Sequence, residues 1–394
     1  MPEPLLRPFP QAASTAPPVS DRSIHATHGS LLCAMRYGAL GASSRLRLAQ
    51  YAPYLRQAGL HVTLRPFLDD DYLAALYAGR QRAGAALAAY RRAVTLRGQI
   101  KSHSLLWIEK ELLPWLPFWL ERGMLRNVPY MLDFDDAWAL RYAESNSPLV
   151  RLLLRNKFGK LLRAAELTVV ANDTLYQWAV SEGAKNILLL PTVIDLARYA
   201  PVPPPMGPFT VGWIGTPLTA TYLTAIAEPL RALSQAQPFK LLVIGAPGFT
   251  LPGVDVESMA WTENTEAAFI GRCHAGIMPL PDTEWANGKS GYKLIQYMAM
   301  ARPAIASPIG ANSRIVLHGE TGFLAHTAQD WVTHLHTLCA NPTLTAEMGQ
   351  AARRRVEQHY SLGVTAPILL DAITELLGNI AARKAGMHSA GPAR

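Results

Sequence analysis

The sequence predicts an α/β protein built from two similar domains, each a parallel sheet covered by helices, facing one another across a cleft. Three observations predict it. Short apolar runs alternate with amphipathic helical stretches, the order that builds parallel sheets. A proline-dense segment, YAPVPPPMGP from Tyr199 to Pro208, interrupts that alternation once, and proline at this density enters neither a helix nor a central strand. At 394 residues and 49% hydrophobic composition, the chain exceeds one typical domain and can fill two cores.

The elements follow in order. Residues 1–28, rich in Pro, Ala, Ser and Thr, read as a disordered leader without a signal-peptide core. The first domain spans 29–200. LLCAMRY (Leu31 to Tyr37) is its first strand, GALGASS a loop, RLRLAQYAPYLRQAG an amphipathic helix stopped at Gly59, and HVTLRPF a second strand. Asp71 to Leu96 reads as one helix, SLLWIEKELL as a strand and turn, and VPYMLDFDDA as a strand ending in acids. LLRAAELTVVAN, DTLYQWAVSEGA and NILLLPTVID then give helix end and strand, helix, and strand. Residues 201–208 form the linker, and 209–362 the second domain, whose strands are FTVGWIG, FKLLVIG, AGIMPLP, PAIASP and TGFLA. Its helices include TATYLTAIAEPLRALSQ, YKLIQYMAMA, SRIVLHG and LTAEMGQAARRRVEQHY. A C-terminal helix over 363–382 is expected to pack back on the first domain, leaving 383–394 as a disordered tail.

Charge is uneven. Residues 1–200 carry 24 Lys/Arg against 16 Asp/Glu, a balance of +8; residues 201–394 carry 13 against 13, a balance of zero. A basic half favours an anionic partner such as a membrane surface. Trp107, Trp115, Phe118 and Trp119, around Pro114 and Pro117, suit a membrane interface or a core edge. The basic residues are dispersed without alternating aromatics, which argues against nucleic acid. No run reaches the ~20 apolar residues of a bilayer span, since Leu105 to Leu120 is broken by charges and two prolines. Cys33, Cys273 and Cys339 lack CxxC spacing, which excludes a disulfide framework and a zinc cluster. They fit a reducing compartment, so the chain is placed in the cytoplasm, peripheral at the inner face of the membrane if it meets one.

Four motifs carry chemistry. GKSGYKLIQYMAMARPAIASP (Gly288 to Pro308) sets Lys289 and Lys293 on either side of Gly291 before a helix. Cations and free backbone N–H groups gathered at a helix start suit a diphosphate. Gln296 adds an amide suited to hydroxyls, and Ser307 faces the loop after the next strand. In Trp213-Ile214-Gly215-Thr216-Pro217 a glycine turn between strand and helix offers N–H groups to phosphate, with the Thr216 hydroxyl beside them. In Tyr37 to Arg45, Gly41 permits close approach of a ligand, Ser43 and Ser44 donate or cap, and Arg45 opposes the dipole of the helix it starts. That spacing is not a dinucleotide fingerprint. In Asp133-Phe134-Asp135-Asp136, Asp133 and Asp135 share a strand face and Asp136 begins the loop. This cluster orients a hydroxyl, acts as a base, or simply caps the next helix, and it is too small for a metal site.

From about Leu31 to Tyr360 the chain resembles retaining glycosyltransferases of the large family four, which have two facing Rossmann-like domains, the GT-B type. RYGALGASSRLR, DFDDA and LPTVIDLARY carry the resemblance in the first half. IGRCHAGIMPLPDTEWANGKSGYKLIQYMAMARPAIASPIGANSRIV and HGETGFLA carry it in the second. It implies transfer of a sugar, a hexosyl group by analogy, from a nucleotide sugar in glycan or polysaccharide biosynthesis, with retention and without a bound metal. The acceptor would be a glycan, a lipid-linked molecule or a small molecule. It places Gly41, Gly215, Thr216, Lys289, Gly291, Lys293, Gln296 and Ser307 around the donor. Lys289 and Lys293 would stand in for Mg²⁺ in the catalytic step. Ser43, Ser44 and Arg45 fall on the acceptor side, Asp135 or Asp136 orients the acceptor, and Glu320 matches an acidic residue after the last donor loop.

The chain departs from the family where two glutamates separated by seven residues are common: Gly288 and Gln296 stand there, and His274 replaces a common aspartate. That marks a branch lacking the paired glutamates. It also leaves a second reading, a catalytically reduced glycan-binding or scaffold protein of the same fold.

Overall fold

The computed structural model describes residues 29–389, and the expected leader at 1–28 and the end of the expected tail, 390–394, lie outside them. Two six-stranded sheets form, and every strand pairing in them is parallel. The first contains β1 (Gly29–Met35), β2 (Leu60–Pro66), β3 (Leu105–Glu109), β4 (Tyr130–Phe134), β5 (Leu167–Val170) and β6 (Ile187–Leu189), in the order β2-β1-β3-β4-β5-β6. The second contains β7 (Phe209–Ile214), β8 (Phe239–Ile244), β9 (Asp255–Met259), β10 (Ala275–Met278), β11 (Ala304–Ala306) and β12 (Gly322–Leu324), in the order β12-β11-β10-β7-β8-β9. The central strands β3, β4 and β10 are buried throughout, which explains their unbroken apolar runs: a sheet covered on both faces needs no polar side.

Strand order reverses between β1 and β3 in the first sheet and between β7 and β10 in the second. Helices leave such a pair on opposite faces, and the crevice that opens beyond the strands' C-terminal ends is where open α/β sheets bind ligands. The loops after β1, β3 and β7 therefore mark the positions from which chemistry is built.

Several local details differ from the sequence pattern. The helix expected after the first loop is broken into Ala42–Arg47, a 3-10 turn Ala49–Tyr51, and Ala52–Gln57. Pro53 in the first turn of the last piece has no N–H to continue the ladder. Asp71 to Leu96 is two helices, Asp70–Tyr77 and Ala83–Ser102, parted at Gly79 with φ of 66°. SRIVLHG yields only the single turn Asn312–Ile315. Trp107 is wholly buried, so of the aromatic group Trp115 and Trp119 are exposed and Phe118 is half-buried.

The last helix, Leu362–Ser389, runs past the expected limit at 382, so 383–389 are helical rather than a disordered tail. It crosses back to the first domain. Ala366, Leu369, Ile373, Leu376, Leu377 and Ile380 share one core with Leu31, Cys33, Tyr51, Leu55 and Trp107. Its segment Leu362–Gly386 is long and apolar enough to cross a membrane by length and composition, and a third of it is buried against the protein. Where the two crossings of the hinge meet, Ile194 pairs with Ser361: Ile194 N–H donates to Tyr360 O at 3.0 Å and Leu362 N–H to Ile194 O at 2.9 Å.

Part of the basic charge of the first half is consumed inside it. Arg47 grips Asp133 through two nitrogens at 2.7 and 3.3 Å. Lys157 pairs with Glu111 at 2.6 Å and Glu121 at 2.9 Å, and Arg36 pairs with Glu111 at 2.6 Å, all of them buried. Such pairs fix geometry more than they add stability, because burial costs each ion its hydration.

Candidate functional site

Gly291 occupies the left-handed region, with φ of 68°, and caps the helix Tyr292–Ala299. A Cβ there would also lie 2.4 Å from Ile315 Cδ1, so a glycine is required twice over. This turn brings Lys293 against β7, while Lys289, in the loop before Gly291, lies by Trp285 and the Asp135–Asp136 pair. Lys293 Nζ rests 4.3 Å from the centre of the Trp213 ring. It also lies 2.6 Å from where a Cβ on Gly215 would stand, so a side chain at Gly215 would displace the ammonium. Thr216 is exposed beside it, its N–H taken by Thr219 Oγ1 at 3.1 Å. The junction read from sequence thus lies at the reversal point of the second sheet, together with a lysine from a distant helix.

Among the described residues, no carboxylate lies within ion-pair distance of Lys293 or Lys289. Burial, and then the charge of Lys289, push the Lys293 ammonium down to about 7. Burial also lowers Lys289, with Asp136 and Asp135 opposing the shift. Two cations held partly out of water without a counterion favour an anion between them.

Across the cleft, Lys110 follows β3 with φ of 64°, a conformation costly for a long side chain. Its Nζ is buried among three carboxylates, 3.0 Å from Asp135, 3.6 Å from Glu109 and 3.7 Å from Asp136. Burial is the largest influence on Asp135 and pushes it up, but Lys110, the Ser43 hydroxyl and Arg47 together hold its carboxyl below the usual range. Burial wins at Asp136, which is raised. Two adjacent acids with opposite shifts give one firm acceptor of hydrogen bonds and one group nearer to exchanging a proton.

The two halves touch directly. Ser290 Oγ donates to Asp135 O at 3.0 Å, and Asn172 Nδ2 donates to Gly288 O at 2.9 Å and Lys289 O at 3.1 Å. Arg141 lies over both Trp138 and Trp285, 4.3 and 5.0 Å from their centres, while Lys289 lies 5.6 Å from the centre of Trp285. Arg45 reaches Glu263 at 3.5 Å and Arg314 reaches Asp173 at 3.2 Å. A Cβ on Gly288 would sit 2.4 Å from Ala137 Cβ, so this closed arrangement excludes a side chain at position 288.

Several expected site residues point elsewhere. Gln296 is buried, and its amide Nε2 donates to Tyr199 OH at 3.1 Å; that hydroxyl in turn donates to Glu266. Ser307 Oγ accepts from Leu280 N–H at 2.9 Å and fastens a loop. Ser44 is fully buried, accepting from Tyr37 N–H at 3.0 Å and donating to Glu109, so it is structural rather than acceptor-facing. Gly41 is buried at the helix cap, where a Cβ would strike Tyr37 Cβ. Asp133 belongs to Arg47 and is separated in role from Asp135 and Asp136, which lie beyond the end of β4. Glu320 is exposed on the turn after Leu317. His274 accepts from Thr210 N–H at 2.9 Å and stacks on Phe209, with burial lowering it.

Lys110 and Asn172 were not singled out by the pattern. Lys110 sits between glutamates in IEKEL and looks like a charged helix face; its position one residue beyond a central strand was the signal available. Asn172 caps the helix Asp173–Ser181 and uses its remaining amide on the other domain, a second role that no local pattern carries.

The fold is shared with known proteins. Sucrose-phosphate synthase from Thermosynechococcus elongatus superposes with a TM-score of 0.65 at 15% identity, covering 89% of this chain and 100% of that one. The Anabaena protein HepE in complex with UDP-glucose gives 0.66 at 14%, covering 88% and 100%. A glycosyltransferase from Rickettsia africae gives 0.66 at 15%, covering 89% and 99%. The chain has the GT-B type fold, two facing α/β domains with the cleft between them. Residues 209–341, about a third of the chain, match the family described as Glycosyl transferases group 1. A D-inositol 3-phosphate glycosyltransferase of Pseudarthrobacter chlorophenolicus is 33% identical over 84 residues, 21% of this chain and 20% of that relative. The match thus spans about a fifth of the curated relative's length.

Proposed function

We propose that this chain is a glycosyltransferase that takes a sugar from a nucleoside-diphosphate donor bound against the second domain. The observation that carries the reading is the placement of Lys293 against the Gly215 turn at the reversal point of the second sheet, with Lys289 near enough for its charge to act on Lys293. When the bond between the sugar's anomeric carbon and the diphosphate oxygen breaks, negative charge grows on the departing diphosphate. Two lysines and the free N–H groups at the start of Tyr292–Ala299 are placed to take that charge. The oxygen of an acceptor hydroxyl forms the new bond to the anomeric carbon and its proton passes to the departing diphosphate, while Asp135 and Asp136, fixed by Lys110, orient that hydroxyl from the first domain. The match to group 1 glycosyl transferases and the UDP-glucose bound by a protein of the same fold support this reading.

The finer features belong to the same proposal: a hexosyl group, retention at the anomeric carbon, membership of a family-four branch lacking the paired glutamates, and a cytoplasmic role in glycan assembly. The donor screen is direct. The protein is heated with a panel of nucleoside diphosphates, and the best base is then offered as sugar donors with the anomeric product read by proton NMR. A nucleotide that raises Tm and a donor that turns over are expected. No shift with any nucleotide sinks the reading. Nucleotide binding with neither transfer nor hydrolysis supports the other reading, a catalytically reduced glycan-binding or scaffold protein, which the engagement of Gln296 by Tyr199 favours.

A further inference from the structure

We infer that the first-domain face formed by the helices Phe118–Leu125, Pro148–Leu154 and Lys157–Ala164 docks on an anionic lipid bilayer. Pro148–Leu154 spends only Val150 and Leu154 on the core, one helical turn apart. Its opposite stripe is also apolar: Leu149 is 63% exposed, Leu152 78% and Leu153 46%. Trp119 on Phe118–Leu125 is 67% exposed, and Lys160 lies 5.9 Å from the Phe118 ring, so the first and third helices adjoin. Every exposed charged side chain within 118–126 and 148–163 is basic: Arg122, Arg126, Arg151, Arg155, Lys160 and Arg163. Glu121, the one acid within those ranges, is buried on Lys157, and of the basic residues Arg163 is paired with the partly exposed Glu182 at 3.7 Å.

The combination selects the occupant. Exposed leucines and a tryptophan ringed by arginine and lysine match a headgroup layer, where apolar side chains enter the acyl boundary and cations meet lipid phosphates. A second copy of the chain is disfavoured, since a two-fold contact would set this basic face against itself. The second domain, with no net charge over 201–394, shows a different surface; its exposed large apolar residues among those described are Val202, Met206 and Leu218, on the linker and one loop. Docking through the first domain leaves the second free to open and close over its donor. The inference stands independently of the donor reading, because it is tested without nucleotide.

The full chain is sedimented with sucrose-loaded vesicles of phosphatidylcholine alone or with about a third phosphatidylglycerol. Binding to the anionic vesicles is expected, falling about tenfold or more in ~1 M salt. The same loss is expected on replacing Arg151 and Arg155 together by glutamine, at roughly fivefold per cation. The double substitution Leu152→Ser, Leu153→Ser should also release the protein, with Tm unchanged because both side chains are exposed. Equal binding to neutral vesicles, or no binding to either, overturns the inference. So does a dimer in solution that these leucine changes dissociate without any vesicle binding. A nucleotide-induced thermal shift measured on the same preparations separates this failure from failure of the donor reading.

Discussion

Replacing Lys293 by alanine tests the proposed donor site most sharply. In the free protein this ammonium faces Trp213 and Gly215 without a carboxylate, and burial with the Lys289 charge holds it near 7. A charge-assisted bond to phosphate is worth about 1.5–3 kcal/mol, so its loss should weaken a nucleoside diphosphate roughly 10- to 150-fold. At a ligand concentration about 100 times the original Kd, the stabilisation from binding is ~2.7 kcal/mol; a 50-fold weaker site would keep only ~0.7 kcal/mol of it. The pH dependence is a second signature. Bound diphosphate favours the charged form, so the complex holds a proton that the free protein has shed above pH 7. The nucleotide's terminal phosphate, with a pKa of about 6, is already ionised there. Affinity should therefore fall up to about tenfold per pH unit above 7 in the wild type and stay flat in the variant. Without ligand the sign reverses: the unfolded lysine holds its proton up to about 10.4, so stability from this group rises between pH 7 and 10. Calorimetry in two buffers of different ionisation enthalpy reads the proton uptake. Equal Kd values for wild type and variant, with no proton uptake in either, would refute the reasoning.

Three further outcomes follow from the same geometry. Gly288→Glu sets a side chain against Ala137 and should hold the cleft open, raising the radius of gyration in X-ray scattering; an unchanged radius with nucleotide bound would show that the loop yields instead. Lys110→Met strands Glu109, Asp135 and Asp136 without their shared cation and should cost about 3–5 kcal/mol in urea unfolding at neutral pH, with part of the loss recovered in acid as the carboxylates protonate. Ile373→Ala, on the last helix, opens a cavity in the first domain's core and should cost about 2–5 kcal/mol; a loss confined to the second domain's transition would contradict the packing.

Most of the strands were legible because parallel strands buried on both faces leave long apolar runs, as in LLWIE and YMLDF, and because Gly59, Gly291 and the prolines punctuate them. Gly291 could be read for the same reason: a left-handed conformation that glycine tolerates best leaves a mark in the sequence. What could not be read was direction across the sheet. Ser43 and Ser44 are neighbours, yet one approaches Asp135 and the other is sealed against Glu109. Asp133 and Asp135 alternate as strand residues should, but the strand ends between them, and Arg47 claims only the first. Gln296 sits on the right helix with its amide turned inward to Tyr199, a residue of the crossing segment 97 positions earlier. Long-range partners decide such cases, and a local pattern does not contain them.

The return of Leu362–Ser389 to the first domain makes that domain discontinuous along the chain, with the whole of the second inserted between its parts. A ribosome therefore delivers the second domain's strands complete before the first domain's apolar face is sealed by Leu369, Ile373 and Ile380. Until then, the groove above Leu31, Tyr51 and Trp107 remains open to water, a stretch of synthesis during which chaperones or misplaced helices compete for it. It also dictates how the protein can be divided: a cut in the proline linker yields no self-sufficient first half, whereas 209–360 carries an entire sheet and its cores save for Ile194 and Tyr199, which the crossing segment supplies.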